Sequence, residues 1–224
     1  MTSRKAWLIG SAVCALLVYA LLWVGFAAQW SWIDAVDRSA LDPLHDYGVD
    51  RPGWVTAWDV YCTILGPTAF RLVTLVVIVV ALARRNLRTA LFLVISVELS
   101  GLVTEAAKAA AGRPRPAEAL VHAWSSSFPS GHAVGVMCSV LALLTIALPV
   151  VHRPPLRAVL IVIGVVVVLT IGIGRVVLNV HHPSDIVAGW ALGYVWWVVC
   201  VLSVPPVAPI TAADETPAVL DSSR

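Results

Sequence analysis

Charged residues are scarce in this sequence. They make up 12% of its 224 residues, whereas hydrophobic residues make up 59%. Soluble domains carry about 25% charged residues, so a chain with half that share cannot cover a water-facing surface. The composition therefore excludes an ordinary soluble globule, a disordered chain and a nucleic-acid-binding protein. A mean hydropathy of +0.88 agrees, and together these values predict an integral membrane protein.

Cysteine is also sparse, and its spacing does not suit redox or metal chemistry. The four cysteines lie far apart, in or at the edge of apolar runs, and no CxxC pair occurs. They are predicted to be small apolar core residues. The apolar runs are spread evenly and show no internal repeat, which favours one bundle. The cysteines are Cys14, Cys62, Cys138 and Cys200.

Six apolar segments approach the length of about 20 residues that a helix needs to cross the hydrocarbon core. The first exceeds the apolar region of a cleaved signal peptide, about 7–15 residues, so it is predicted to remain as a helix. Gly66 and Pro67 predict a bend or a new helix start in the second. The predicted fold is an all-α bundle of six transmembrane helices in one domain, residues 1–204, with a loose cytoplasmic tail at residues 205–224. The predicted spans are residues 7–28, 61–83, 87–107, 133–151, 158–177 and 186–204.

Basic residues flank alternate spans. Six spans place both termini on one side, and the positive-inside rule makes that side the cytoplasm. The charges that set this orientation are Arg4, Lys5, Arg84, Arg85, Arg88, Arg153 and Arg157. The aspartate-rich stretch 29–58, the loop 108–129 and the segment around His181 then lie outside. The last two segments keep basic residues on the disfavoured side, which indicates a function there: Lys108, Arg113, Arg115 and Arg175.

Three short segments on this outer side carry residues that suit a phosphate group. Lys108, Arg115 and Arg175 offer three fixed positive charges, and an arginine can bind two phosphate oxygens at once. Ser130 and Gly131 stand where the fourth span begins, and a helix N-terminus presents unpaired N–H groups to an anion. Gly131 lets the backbone approach the phosphate, and Ser130 can donate a hydroxyl hydrogen bond.

Two histidines and an aspartate add the groups that a phosphoryl transfer needs. His181 and Asp185 are four residues apart, so Asp185 can accept the Nδ1–H of His181 and leave Nε2 facing the phosphate. Pro183 is predicted to open the sixth helix. His132 is placed to protonate a leaving oxygen. Attack on phosphorus would form a phosphohistidine that water hydrolyses. No metal or other cofactor is predicted, because Lys and Arg supply the positive charge and carboxylates suited to Mg²⁺ are scarce.

The motifs Lys-x6-Arg-Pro, Pro-Ser-Gly-His and Arg-x5-His-x3-Asp occur here in order. They resemble the three signature motifs of the type 2 phosphatidic acid phosphatase superfamily, and the resemblance covers about residues 55–200. That superfamily includes bacterial undecaprenyl-pyrophosphate and phosphatidylglycerophosphate phosphatases. The resemblance implies a metal-independent phosphohydrolase of a bacterial inner membrane. It implies His181 as nucleophile, Asp185 as its partner, His132 as general acid, and phosphate binding by Lys108, Arg115, Ser130, Gly131 and Arg175.

One residue departs from the family pattern. The third motif usually starts Ser-Arg, whereas this sequence has Gly174 before Arg175, so a hydroxyl ligand is lost. A backbone N–H or a water can take its place, and either changes the expected rate or substrate preference.

The expected activity is hydrolysis of a phosphomonoester or pyrophosphate on a membrane lipid at the outer leaflet. The candidate substrates are undecaprenyl pyrophosphate and other polyprenyl phosphates, phosphatidic acid and phosphatidylglycerophosphate. Two alternatives are phosphoryl transfer to an acceptor other than water and a lipid-phosphate binder or transporter without turnover. A third alternative is the activity of the related vanadium haloperoxidases, whose anion pocket is similar. The predicted membrane spans argue against this alternative. The expected partners are the lipid substrate and the bilayer, and the oligomeric state is left open.

Other polar residues receive structural interpretations or two open ones. Arg113 either binds phosphate indirectly or faces lipid head groups, and Arg71 either reaches the interface or pairs with Glu98. Glu105, three residues before Lys108, is predicted to form an ion pair with it. Histidines outside the motifs, and His182, are predicted to be structural or interfacial: His45, His122 and His152.

Overall fold

The computed structural model describes residues 3–206, so all but the first two residues of the predicted tail lie outside it. Within this range the chain forms nine α-helices and no strand. A π-helical turn, Val94–Glu98, joins two of them. The helices are α1 Ser3–Ala27, α2 Ser31–Val49, α3 Pro52–Ile64, α4 Pro67–Ala83, α5 Leu87–Leu93, α6 Ser100–Ala111, α7 Gly131–Ala147, α8 Pro154–Val177 and α9 Pro183–Ser203.

Five helical stretches are long and apolar enough to cross a bilayer. They are α1, α3 with α4, α5 with α6, α8 and α9. The apolar helix α7 has only 17 residues, about 25 Å, and the hydrocarbon core is about 30 Å thick. It packs against α4, α6, α8 and α9. The chain is therefore an all-helical integral membrane protein, and the predicted count of six spans depends on α7 and stays a prediction.

Several helix ends differ from the predicted spans for local reasons. The fourth predicted span reaches residue 151, but α7 ends at Ala147 and a turn follows. Proline is favoured in the first turn of a helix, and α8 accordingly begins at Pro154 instead of residue 158. The third predicted span is broken into α5 and α6, and the hydroxyl of Ser96 accompanies the break by donating to the Phe92 carbonyl. Helix α4 starts at Pro67, as Gly66 and Pro67 suggested.

Helix α2 lies within the aspartate-rich stretch 29–58. Its overall composition is polar, but Ile33, Asp37 and Leu41 are buried at four-residue intervals on one face. This narrow stripe holds α2 against α8 and α9. The buried Asp37 in this stripe indicates that α2 contributes to a polar site inside the bundle.

Two glycines bring α7 and α9 close together. A Cβ on Gly189 would lie 2.7 Å from the Ala133 Cβ and 2.8 Å from the Ser130 carbonyl oxygen. A Cβ on Gly193 would lie 2.8 Å from the Val134 carbonyl oxygen. Because only glycine fits at these contacts, the first turn of α7 lies directly against the second and third turns of α9.

Candidate active site

The eight predicted site residues come from four helix ends and two connections at one end of the bundle. Lys108 closes α6, Ser130 caps α7, Arg175 closes α8 and Asp185 lies in the first turn of α9. The backbone N–H of Ser130 donates to the Asp185 carbonyl oxygen at 3.0 Å, which ties the second motif to the third. The other four are Arg115, Gly131, His132 and His181.

Lys108 is buried against the segment that connects α6 and α7. Gly112, with φ of +60°, ends α6 in a left-handed conformation and turns the chain away. The Lys108 ammonium donates to Ser125 Oγ at 2.7 Å and to the Ser126 carbonyl at 3.0 Å. The predicted ion pair with Glu105 is wrong, because among residues 3–206 no carboxylate lies within 4.0 Å of Lys108 and Glu105 points to the exposed side of α6.

Arg115 is held by main-chain carbonyls and points at the histidine. Its Nη1 donates to the Val180 carbonyl at 2.7 Å, and Nε and Nη2 donate to the carbonyls of Ser125 and Trp124. Nη1 also donates to His181 Nε2 at 3.2 Å. An arginine can only donate, so Nε2 is the accepting nitrogen and the ring proton is assigned to Nδ1.

His181 is almost completely buried, and Ser127 stands between it and the aspartate. His181 Nδ1 lies 3.6 Å from Asp185 Oδ2, so the two side chains are adjacent at slightly more than hydrogen-bond length, and the pairing of the two residues in catalysis stays a prediction. Ser127 Oγ is 3.4 Å from Nδ1 and donates to Asp185 Oδ2 at 2.5 Å. Burial lowers the pKa of His181 to about 4; the Asp185 carboxylate opposes this shift, and Arg115 and Arg175 add to it. The imidazole is therefore neutral at pH 7.

Asp185 is completely buried, and each of its oxygens has charged or main-chain donors. Oδ1 accepts from Arg113 Nη1 at 2.7 Å. Oδ2 accepts from the backbone N–H of His182 at 2.9 Å, and the His182 ring Nδ1 is 3.1 Å away. His182 caps α9, in keeping with the structural interpretation of it, and Pro183 opens the helix as expected.

Arg113 is buried and does not face lipid head groups, and the other interpretation, indirect phosphate binding, stays a prediction. The residue is 7% exposed, and its guanidinium bridges two carboxylates, through Nη1 to Asp185 and through Nη2 to Asp37 Oδ2 at 2.8 Å. Nη1 also donates to Ser184 Oγ at 2.7 Å. Asp37 and Ser184 were missed because no spacing motif links α2 to α9. Ser127 was missed because one serine among several in a loop carries no signal.

The remaining positions complete the rim around His181. Ser130 Oγ accepts from the backbone N–H of Ala133, and a Cβ on Gly131 would lie 3.8 Å from the Lys108 side chain. Among residues 3–206, Arg175 Nε is one of three buried side-chain atoms without a hydrogen-bond partner. His132 is the second residue of α7, and its ring lies 3.4 Å from the position a Cβ would take on Gly66 at the start of α4.

Gly174 faces α3, so the missing hydroxyl coincides with a tight contact. A Cβ there would lie 2.5 Å from Cys62 Sγ and 2.9 Å from the Trp58 ring. A serine could be accommodated only if these side chains moved. The neighbouring Arg175 guanidinium lies beside the Cys62 thiol.

Arg71 and Glu98 do not form the ion pair that was one of two interpretations, since no such contact within 4.0 Å occurs in the described chain. Glu98 accepts instead from Thr74 Oγ1 at 2.8 Å. Residues 3–206 contain no group of three or more His, Cys, Asp or Glu side chains arranged to hold a metal ion.

A cavity of about 530 Å³ adjoins the site. Arg115 and His182 line it on the side of His181, and Phe26, Trp30 and Arg38 line it on the side of α1 and α2. The cavity is large enough for a polar head group next to the histidine.

Comparison with known proteins agrees with this architecture. A sequence model of the PAP2 superfamily matches residues 89–208, more than half of the chain. Over 80 residues the chain is 41% identical to phosphatidylglycerophosphatase B of Bacillus subtilis (strain 168), covering 33% of this chain and 37% of that protein's length. The crystal structure of a transmembrane PAP2-type phosphatidylglycerolphosphate phosphatase from Bacillus subtilis shares the fold. Its TM-score is 0.68 at 23% identity, over 90% of this chain and 99% of that one.

Proposed function

Because the chain belongs to the PAP2 superfamily, we propose that it hydrolyses a phosphomonoester or pyrophosphate on a membrane lipid, without a metal, through a phosphohistidine intermediate. One observation carries the proposal. The unprotonated Nε2 of His181 lies 3.2 Å from the guanidinium of Arg115, so the group that attacks and a group that binds phosphate face the same point. A neutral, buried imidazole at that point is a competent nucleophile.

The first step forms a bond between His181 Nε2 and phosphorus and breaks the bond between phosphorus and the lipid oxygen. His132, acting as the general acid, gives a proton to that oxygen. Nδ1–H faces Ser127 and, through it, the Asp185 carboxylate, which supports the positive charge that develops on the ring. In the second step His132 removes a proton from water, the water oxygen bonds to phosphorus, and the P–N bond breaks.

The three cations replace the metal of other phosphatases in this scheme. Lys108, Arg115 and Arg175 would bind the equatorial oxygens, where negative charge is held in the transition state. Lys108 and Arg115 are already fixed by the main chain of Ser125, Ser126 and Trp124, so they need little reorganisation. The unpartnered Nε of Arg175 is available to an incoming oxygen.

The proposed substrates are lipids whose phosphate is terminal. Phosphatidylglycerophosphate is the first candidate, because the curated relative is named a phosphatidylglycerophosphatase. Phosphatidic acid and polyprenyl pyrophosphates present the same terminal group. We place the protein in a bacterial inner membrane with six spans, cytoplasmic termini and an extracytoplasmic site, on the distribution of Arg and Lys in the sequence.

Phosphate release from these lipids by the purified protein in detergent tests the proposal. We expect His181→Ala to abolish release and the loop variant His122→Ala to leave it unchanged, since His122 is exposed. Wild-type protein should form an acid-labile phosphoenzyme and remain active in EDTA. Undiminished release by His181→Ala would contradict the nucleophile assignment, and a loss in EDTA that Mg²⁺ restores would contradict the metal-free mechanism. Phosphate recovered on an added alcohol would indicate a transferase, and binding without turnover would indicate a binder.

A further inference from the structure

A buried aspartate on α2 reaches the catalytic carboxylate through an arginine. Asp37 is 1% exposed and lies in a helix that supplies none of the predicted site residues. Its Oδ2 accepts from Arg113 Nη2 at 2.8 Å and from Ser184 Oγ at 2.7 Å, and its Oδ1 accepts from the Ser184 backbone N–H at 2.9 Å. Arg113 Nη1 then donates to Asp185 Oδ1 at 2.7 Å.

We propose that Arg113 and Asp37 are positioning residues that set the charge which Asp185 presents to His181. The proposal rests on the proposed function, in which His181 is the nucleophile. Arg113 binds the carboxylate oxygen that faces away from His181, while the other oxygen is left to Ser127 and His182. Asp37 compensates the positive charge of Arg113.

The charge balance explains why both residues are needed. Asp37, Arg113 and Asp185 together carry one net negative charge, close to a histidine that becomes positive during the reaction. Arg113 without Asp37 would neutralise Asp185, and the developing positive charge would lose its support. Asp37 without Arg113 would leave two buried carboxylates with no counter-charge between them, and one donor to Asp185 would be lost. A guanidinium can serve both carboxylates because its two Nη atoms point to different partners.

The other charged and polar groups of the site stay constant when this pair is changed. They come from every element around the site and are Arg115 and Ser127 of the loop, Lys108 of α6, His132 of α7, Arg175 of α8, and His182 and Asp185 at the start of α9. A difference between variants at Asp37 and Arg113 therefore reports the pair alone.

The test compares Asp37→Asn, Arg113→Gln and the double variant as full-length protein. The ratio of variant to wild-type kcat/KM is measured against pH, because substrate ionisation cancels in it. At an effective dielectric constant near 20, a unit charge on the order of 8 Å away shifts a pKa by roughly 1.5 units. We expect the acid limb of the kcat/KM profile to move up by about 1.5 pH units in Arg113→Gln, down by a similar amount in Asp37→Asn, and back towards wild type in the double variant.

Two further variants control for folding and for surface charge. Asp42→Asn removes a carboxylate from the exposed side of the same helix and should leave the limb in place. Arg113→Lys keeps the charge but cannot bridge both carboxylates equally, so the limb should stay while kcat falls. If Arg113→Gln does not fold, the shift in Asp37→Asn alone decides, since asparagine can still accept the Ser184 backbone N–H.

An NMR titration of the His181 imidazole, assigned with His181→Gln, gives the same shifts without turnover. This titration separates the two proposals. If the wild type is inactive but the imidazole pKa moves in opposite directions in Asp37→Asn and Arg113→Gln, only the proposed function is contradicted. The role of the pair would be overturned if the acid limb of the kcat/KM profile and the imidazole titration were the same in all variants. It would also be overturned if both moved in the same direction in Asp37→Asn and Arg113→Gln.

Discussion

Replacing Asp185 with asparagine is the perturbation that tests the geometry of the site most directly. The side chain keeps its size, so packing is preserved, but one acceptor oxygen becomes an NH₂ donor. Every neighbour of the carboxylate is a donor: Arg113 on one oxygen, and Ser127 and the His182 backbone N–H on the other. In either orientation of the amide, its NH₂ group therefore faces an N–H donor, either Arg113 or the His182 backbone.

The cost can be estimated from these contacts. Losing one partner of a buried ion pair costs about 3–5 kcal/mol, and the lower figure applies because Arg113 keeps Asp37. Total stabilities are about 5–15 kcal/mol, so the variant should fold but melt at lower temperature. If the positive charge on His181 loses about 3 kcal/mol of support in the transition state, kcat falls on the order of 100-fold.

The assay measures phosphate release and thermal unfolding in detergent for Asp185→Asn beside Asp46→Asn, an exposed carboxylate on α2. The control should match wild type in both. The reasoning is refuted if Asp185→Asn keeps kcat within about threefold of wild type, because a loss of 3 kcal/mol cannot be hidden in that range.

Three other outcomes are expected. His132→Ala should reduce release from lipid phosphates by about 10²–10⁴-fold, and a smaller loss on an aryl phosphate, whose leaving group needs no proton, would mark His132 as the acid; equal losses would argue against that role. Because burial lowers the pKa of His181 to about 4, the unfolded chain binds a proton between about pH 6.5 and 4 that the folded chain does not. His181 alone should therefore lower the stability by about 3 kcal/mol as the pH drops through that window, and a melting temperature independent of pH there would contradict it. Gly174→Ser should destabilise the protein, and adding Cys62→Ala should restore part of the lost stability because it removes the sulfur 2.5 Å from the new Cβ. An unchanged melting temperature in Gly174→Ser would contradict this expectation by showing that α3 moves aside at no cost.

Much of the fold follows from the sequence because lipid imposes a simple rule. Long uncharged runs predict helices, and the structure is all-helical over the described chain. Helix ends were less predictable, because the start of α8 depends on Pro154 and the break after Leu93 depends on hydroxyl groups that bond to main-chain carbonyls. Hydropathy does not contain that information.

The site shows the same division. Spacing along the chain brought His181 and Asp185 to the same helix start, and the three motifs lie at one end of the bundle; the roles of these residues stay predictions. The contact between Asp37 and Arg113 joins residues 76 positions apart, and Ser127 reaches Asp185 across 58 positions. Such contacts depend on how helices pack, and no local pattern in one sequence records them.

The glycine contacts between α7 and α9 have a mechanical consequence. When the thickness of a bilayer does not match the apolar length of its helices, the helices tilt or kink, and these changes can move neighbouring helices relative to one another. Here Gly189 and Gly193 allow α9 to lie in close contact with the α7 backbone. The Ser130 N–H donates a hydrogen bond to the Asp185 carbonyl where the two helices begin. The two helices that carry His132 and follow His181 therefore deform as one body, and the distance between acid and nucleophile is insulated from changes in the lipid around them.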